Sequence, residues 1–167
     1  MRYIILIIIS TAPVIMVYFD LRNRNKSICF LNELSLLFHR FENILNATPM
    51  ELAYLFESAE KQGICTSFCR DIVQGLSDEF TFDQVWNKAI AAFVVDMRIA
   101  KDELVLLRYF SQEFGKGDLE DQKKLCHFYS LFCKEAVEKR KQCLEKNRRM
   151  YITLGTLSGV LIFILLC

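Results

Sequence analysis

The chain has 167 residues, 53% of them apolar and 25% charged, with a formal net charge of +1, six Gly, two Pro and seven Cys. That length fits one domain with appendages, and a near-neutral charge without a basic stripe argues against a nucleic-acid partner. Residues 3–19 and 151–167 carry no charge, so the excess hydrophobicity is terminal; this excludes a plain soluble enzyme, a multi-pass transporter and a disordered tail.

In chain order, residues 3–19 read as a transmembrane helix. Its 17 residues give about 25 Å of helix, at the short end for a bilayer span. Tyr3, Tyr18 and Tyr151 suit the interfacial belts, and Pro13 predicts a mild kink. A cleaved signal peptide fits less well, because only Arg2 precedes the run, no small-x-small site follows and Pro13 interrupts it.

Residues 20–150 show spacings of three and four and no sustained alternation, which predicts an all-α, six-helix bundle. The first bundle helix, over 27–47, carries Leu31, Leu34, Phe38, Phe41 and Leu45 on one face. Thr48-Pro49-Met50-Glu51 reads as the next start, with Thr48 as cap, Pro49 at the first helical position and Glu51 closing a capping box. That helix buries Leu52, Leu55, Phe56 and Ala59 and stops at Gly63. A stripe from Ile64 through Cys65, Phe68, Cys69, Ile72, Val73 and Leu76 forms the third. Thr81 and Gln84 form a second capping box, opening a helix with Phe82, Val85, Trp86, Ala89, Ile90 and Phe93. The fifth spans 102–114, with Leu104, Leu107, Phe110 and Phe114, and Gly115 stops it. Asp118 caps the last helix, Glu120 and Asp121 favour its dipole, and Leu125, Phe128 and Phe132 are its expected core side chains. Nothing breaks this helix before 151–167, the second predicted transmembrane helix. There Gly155 and Gly159 stand at a small-xxx-small spacing that lets helix backbones pair, including those of two copies.

Arg22, Arg24 and Lys26 follow the first span, and Lys146, Arg148 and Arg149 precede the second. Both spans therefore place the middle domain in the cytoplasm and both termini outside, and the same clusters suit anionic lipid. Thiols in that compartment stay reduced, and an odd number of cysteines fits no closed disulfide framework.

Catalytic, cofactor-binding and metal motifs are not found. Cys65 and Cys69 fall on an apolar stripe without a complementary His or Cys pair, so they read as structural. Cys126, Cys133 and Cys143 carry no motif; Cys29 and Cys167 lie near or in the bilayer, where acylation is chemically open. His39 reads as a solvated surface residue. His127 beside Cys126 lacks the geometry of a nucleophile pair, because neighbours on a helix point about 100° apart. Gly115-Lys116-Gly117 is too short for a phosphate loop. By elimination the domain acts through protein-binding surfaces, without catalysis. A membrane-anchored redox or metal sensor built on Cys65, Cys69 and Cys126 or Cys133 is the alternative, as is a two-span regulator of an unrelated process.

The stretch Phe114-Gly115-Lys116-Gly117-Asp118-Leu119-Glu120-Asp121-Gln122, then Glu145-Lys146-Asn147-Arg148-Arg149-Met150-Tyr151 and Leu154-Gly155, resembles the stage III sporulation protein AB family. Gly115, Asp118, Gln122, Asn147, Arg149, Met150, Tyr151, Leu154 and Gly155 match the family pattern, whereas Phe114 replaces Leu and Gly117 replaces Ser. The latter exchange predicts a weakened cap without a moved turn. Thr48-Pro49-Met50 with upstream Glu42 resembles an earlier family segment, from which Asn43 and Leu45 depart. The resemblance implies a membrane component of the channel complex between mother cell and forespore, held in the mother-cell membrane that faces the forespore. It also implies a soluble domain similar to the cytoplasmic domain of type II secretion and type IV pilus platform proteins. A cytoplasmic ATPase and other channel subunits are the implied partners.

Overall fold

Residues 2–47, 51–78, 80–95, 97 and 99–166 are described by a computed structural model, with side chains from 15 to 146 (17, 47 and those gaps apart) and at scattered positions beyond. Six α-helices make up the described residues: α1 (Arg2–Ala47), α2 (Leu52–Lys61), α3 (Thr66–Ser77), α4 (Phe82–Val94), α5 (Lys101–Glu113) and α6 (Leu119–Leu166). No strand occurs among them. The all-α expectation and each of the six bundle helices are therefore met, but several boundaries differ.

The first bundle helix does not begin near Ser27. It is the lower half of one continuous helix from Arg2 to Ala47, with Pro13 inside it. Nothing from Asp20 to Ser27 supplies a stop, because that stretch has neither Gly nor Pro to break the ladder. The expected start of α2 is also corrected. Glu51 is the N-cap, in extended conformation, and the helix opens at Leu52. Glu51 therefore cannot serve as the third residue of a box closed by Thr48, and Thr48 and Pro49 lie outside the described residues.

The stop after α2 is the predicted one. Gly63 adopts φ +76°, its N–H bonds Glu60 O at 2.9 Å, and Ile64 N–H bonds Ala59 O at 3.1 Å. This Schellman pair satisfies the last carbonyls of α2 and turns the chain back for α3. Cys65 follows in the left-handed region, at φ 45°, so α3 begins at Thr66 rather than at Ile64. The predicted box at Thr81 is present: Thr81 N–H donates to Gln84 Oε1 at 3.3 Å. Ala100 N–H donates likewise to Glu103 at 3.1 Å, which sets the start of α5 one residue earlier than expected.

The core is aromatic. Trp86 is fully buried, donates Nε1–H to Leu107 O at 2.7 Å, and meets the ring of Phe110 at 4.9 Å and that of Phe68 at 5.2 Å. Phe38 joins the same cluster 4.7 Å from Phe110, tying α1 to α5. Edge and tilted geometries dominate, as ring quadrupoles prefer. On α3, Gly75 is required by space: a Cβ there would stand 2.7 Å from a Val85 methyl, so α3 and α4 cross at close range.

The buried face of α6 differs from the expected one. Cys126, Tyr129, Cys133, Ala136 and Val137 are buried, whereas Phe128 is 53% exposed and Leu125 and Phe132 are only partly covered. The physical reason lies on α1, which supplies the bulk: Leu31, Leu34, Phe38, Phe41 and Leu45 recur at four and three along the seam. The facing positions of α6 must then be small, and Cys126, Ser130, Cys133 and Val137 repeat the same spacing.

Among the described residues, no helix is long and apolar enough to cross a membrane. Of the segments expected to be spans, residues 3–19 and 151–166 form the outer ends of α1 and α6, and Cys167 lies outside the described residues.

Candidate functional site

Three polar cross-links sew α1 to α6 in antiparallel order. At the end near α2, His127 Nδ1 lies 3.0 Å from Glu42 Oε1, with His39 Nδ1 3.4 Å from Oε2. A carboxylate can only accept, so the His127 Nδ1 proton is the donor. In the middle, Ser35 Oγ donates to Ser130 O at 2.9 Å and Ser130 Oγ donates to Ser35 O at 3.1 Å. Toward the long ends, Arg140 donates Nη1–H to Ser27 Oγ at 2.6 Å and pairs through Nη2 with Glu103. Glu103 is itself the residue that closes the start of α5, so this guanidinium joins α1, α5 and α6. Ser27 is fully buried, and both charged partners are about four-fifths buried.

Beyond Arg140 the two helices leave the bundle at one end. Their described apolar side chains there are uncovered: Met16 is 77% exposed, Tyr18 64%, Leu157 59% and Ile164 68%. At the opposite end, the turn from α5 into α6 gathers three of the residues singled out from the sequence. Gly115 takes φ +89°, which a Cβ would strain. Asp118 Oδ1 accepts the Asp121 N–H at 2.8 Å as an N-cap, and Gln122 Nε2 donates to Gly117 O at 3.1 Å. Gly117 itself has a steric reason rather than a lost capping contact, since a Cβ would meet Asp121 Cβ at 2.9 Å. Asn147, Arg149, Gly155 and Gly159 lie on the helical backbone of α6 far from this turn, and their side chains lie outside the described residues. The structure thus splits the expected set into a turn and a helix end.

Glu42, Ser35, Ser27, Glu103 and Arg140 were missed as a group. Of these, only Glu42 enters the sequence reading, as an upstream family match. Their signal was polar residues on an apolar seam, at Ser27 and Ser130.

The cysteines are structural in their surroundings. Burial pushes the Cys69, Cys126 and Cys133 thiols up to about 12, and Cys65 still further. A thiolate for redox exchange or metal ligation is thereby suppressed. No group of three metal-ligating side chains occurs among the described residues.

A groove of about 430 Å³ opens between α3 and α4 over Gly75, Val85 and Ala89, with Phe80 exposed beside it and Asp71, Asp78 and Lys88 on its rim.

The family model of stage III sporulation protein AB matches residues 2–167. No curated protein and no solved structure matches the chain. With nearly every residue inside that match, the chain belongs to the stage III sporulation protein AB family, and its role lies in sporulation.

Proposed function

We propose that this chain is a non-catalytic membrane platform component of the channel, or secretion-like complex, between mother cell and forespore. In this reading the bundle docks a cytoplasmic ATPase and other subunits, and the segments 3–19 and 151–167 hold it in the mother-cell membrane with both termini outside. One observation carries the proposal: α1 and α6 run out of the same end of the bundle, and large apolar side chains described there, such as Met16, Tyr18, Leu157 and Ile164, are uncovered. Helix surface of that kind in water is unfavourable by about 25 cal/mol per Å², and a bilayer would remove the cost. The Ser27–Arg140–Glu103 cluster would make the paired helices and α5 move together, so force applied to the bundle reaches the membrane ends. Small residues at Gly155 and Gly159 would allow two copies to associate.

The test is fractionation and affinity purification of the full-length chain from a sporulating culture. The expected result is a membrane fraction that resists alkaline carbonate and retains an ATPase after detergent extraction. Release by carbonate would overturn membrane anchoring, and loss of the ATPase would overturn the platform role.

A further inference from the structure

The three cross-links between α1 and α6 pair Glu42 with His127, Ser35 with Ser130 and Ser27 with Arg140. Continued along both helices, this antiparallel register brings Arg22 level with Glu145 and Lys146, and Lys26 level with Lys141, to within about one turn. On one side of that level stands the packed bundle. On the other the exposed apolar surface begins, with Tyr18 and Phe19 on α1 and Met150 and Ile152 on α6.

Charge is concentrated at this boundary. Residues 20–26 and 145–149 hold the cations Arg22, Arg24, Lys26, Lys146, Arg148 and Arg149 against only two carboxylates, Asp20 and Glu145. Several nearby cations are already engaged: Arg24 bonds Asp20 at 2.9 Å, Lys139 pairs with Glu135 at 2.9 Å and Lys141 with Glu138 at 3.4 Å. Arg22, Lys26 and Lys146 are different. All three are exposed, and none has an ion pair or side-chain hydrogen bond among the described residues. Arg22 and Lys26 are one helical turn apart and so share a face of α1.

Long aliphatic stems with cationic tips, placed where an apolar helix surface meets a polar one, can lie along hydrocarbon while their heads reach phosphate. We infer that Arg22, Lys26 and Lys146 form a collar that binds the phosphodiester headgroups of anionic phospholipid and fixes the depth of the helix pair in the bilayer. This inference rests on the membrane reading above and adds the lipid class and the residues that select it. A basic residue held at an anionic surface strengthens association about fivefold, an effect that fades within a Debye length.

The experiment uses the full-length chain reconstituted into phosphatidylcholine vesicles containing a minor fraction of phosphatidylglycerol. Spin-labelled phosphatidylglycerol and phosphatidylcholine then report which lipid occupies the protein boundary. The expected result is a severalfold preference for phosphatidylglycerol that falls at high salt. The triple variant R22Q/K26Q/K146Q abolishes it, whereas K61Q/K116Q/K124Q, with the same loss of charge on the bundle, leaves it unchanged; circular dichroism checks that both remain helical. Equal association of the two lipids with the inserted wild-type chain would overturn the collar alone and leave these cations to an acidic protein surface. Equal losses in the two triple variants would overturn it in favour of net charge. Failure to insert into either kind of vesicle would overturn the membrane reading and the collar with it.

Discussion

Ser35 and Ser130 each donate a hydroxyl hydrogen bond to the other's backbone carbonyl, at 2.9 and 3.1 Å, across the seam of α1 and α6. Two reciprocal bonds from side chains this short require the helix backbones to approach closely. The small residues beside Ser130 on the same face, Cys126 and Cys133, are what permit it. The seam is therefore specified by the absence of bulk on α6 as much as by the leucines and phenylalanines of α1.

Replacing Ser130 separates the two contributions. Ser130→Ala removes hydrogen bonds from a partly buried site and is expected to lower stability by about 1 kcal/mol. Ser130→Leu must also spread the helices, and a loss of roughly 2–3 kcal/mol follows from overpacking. Urea denaturation of the purified chain in detergent measures both. A leucine variant as stable as the alanine variant would show that the approach is looser than the bonds imply.

Arg140 makes a second prediction, because it serves three helices at once. Removing either charge leaves the other partly buried and uncompensated, so Arg140→Gln and Glu103→Gln should each cost about 2 kcal/mol. Glu103 also closes the first turn of α5 through Ala100 N–H, a role that its glutamine variant keeps. The double variant should cost clearly less than the two singles added together, which a double-mutant cycle reads directly. Strict additivity would mean that the pair contributes nothing to holding α5 on the long helices.

At the turn before α6, the exchange Gly117→Ser gives a result that separates steric from capping effects. A cap account predicts a gain on restoring serine, whereas the 2.9 Å approach to Asp121 Cβ predicts a loss. We expect Gly117→Ser to destabilise by about 1 kcal/mol, and Asp118→Ala, which removes the bond to Asp121 N–H, to do so by a similar amount. Thermal unfolding followed by circular dichroism ranks the two. A stabilised serine variant would restore the capping explanation.

What was legible in the sequence follows from where punctuation and bulk coincide. Gly63 and Gly115 end helices because only a residue without Cβ takes their positive φ without strain, and that signal is local. Asp118 is equally local. The stripe on α1 was readable since large apolar residues mark the buried face by themselves. The facing stripe on α6 was not, because Phe128 and Leu131 outweigh Cys126, Ser130 and Cys133 in any count of hydrophobic bulk, yet they are the exposed ones. Which face of a helix is buried depends on what its neighbour already supplies, and no single helix contains that information. The same holds for Arg140: one more cation in a charged run has no visible partner until α5 and α1 are folded against it. The start of α2 failed for a different reason, since Thr48-Pro49 fits a general cap pattern while the helix takes its start from Glu51.

The buried thiols give stability a pH dependence whose sign is fixed by their surroundings. Burial pushes Cys69, Cys126 and Cys133 up to about 12, and the Tyr129 hydroxyl to about 12 as well. In the unfolded chain a thiol ionises near 8.5. Above that pH the unfolded chain holds fewer protons than the folded one, so stability is complete below about pH 8 and falls as pH rises toward 12. Each fully shifted thiol adds at most about 1.4 kcal/mol per pH unit to that slope. Unfolding titrations between pH 7 and pH 11 should therefore steepen on the alkaline side, and Cys133→Ala should flatten the slope while costing core packing at neutral pH. Reactivity provides the independent check. Iodoacetamide at pH 8 is expected to modify the exposed Cys29 and Cys143 well before Cys65, Cys69, Cys126 or Cys133. Native alkylation of Cys65 or Cys69 at the rate of a free thiol would overturn the structural role of these residues and revive a redox one, because a suppressed thiolate cannot react that fast.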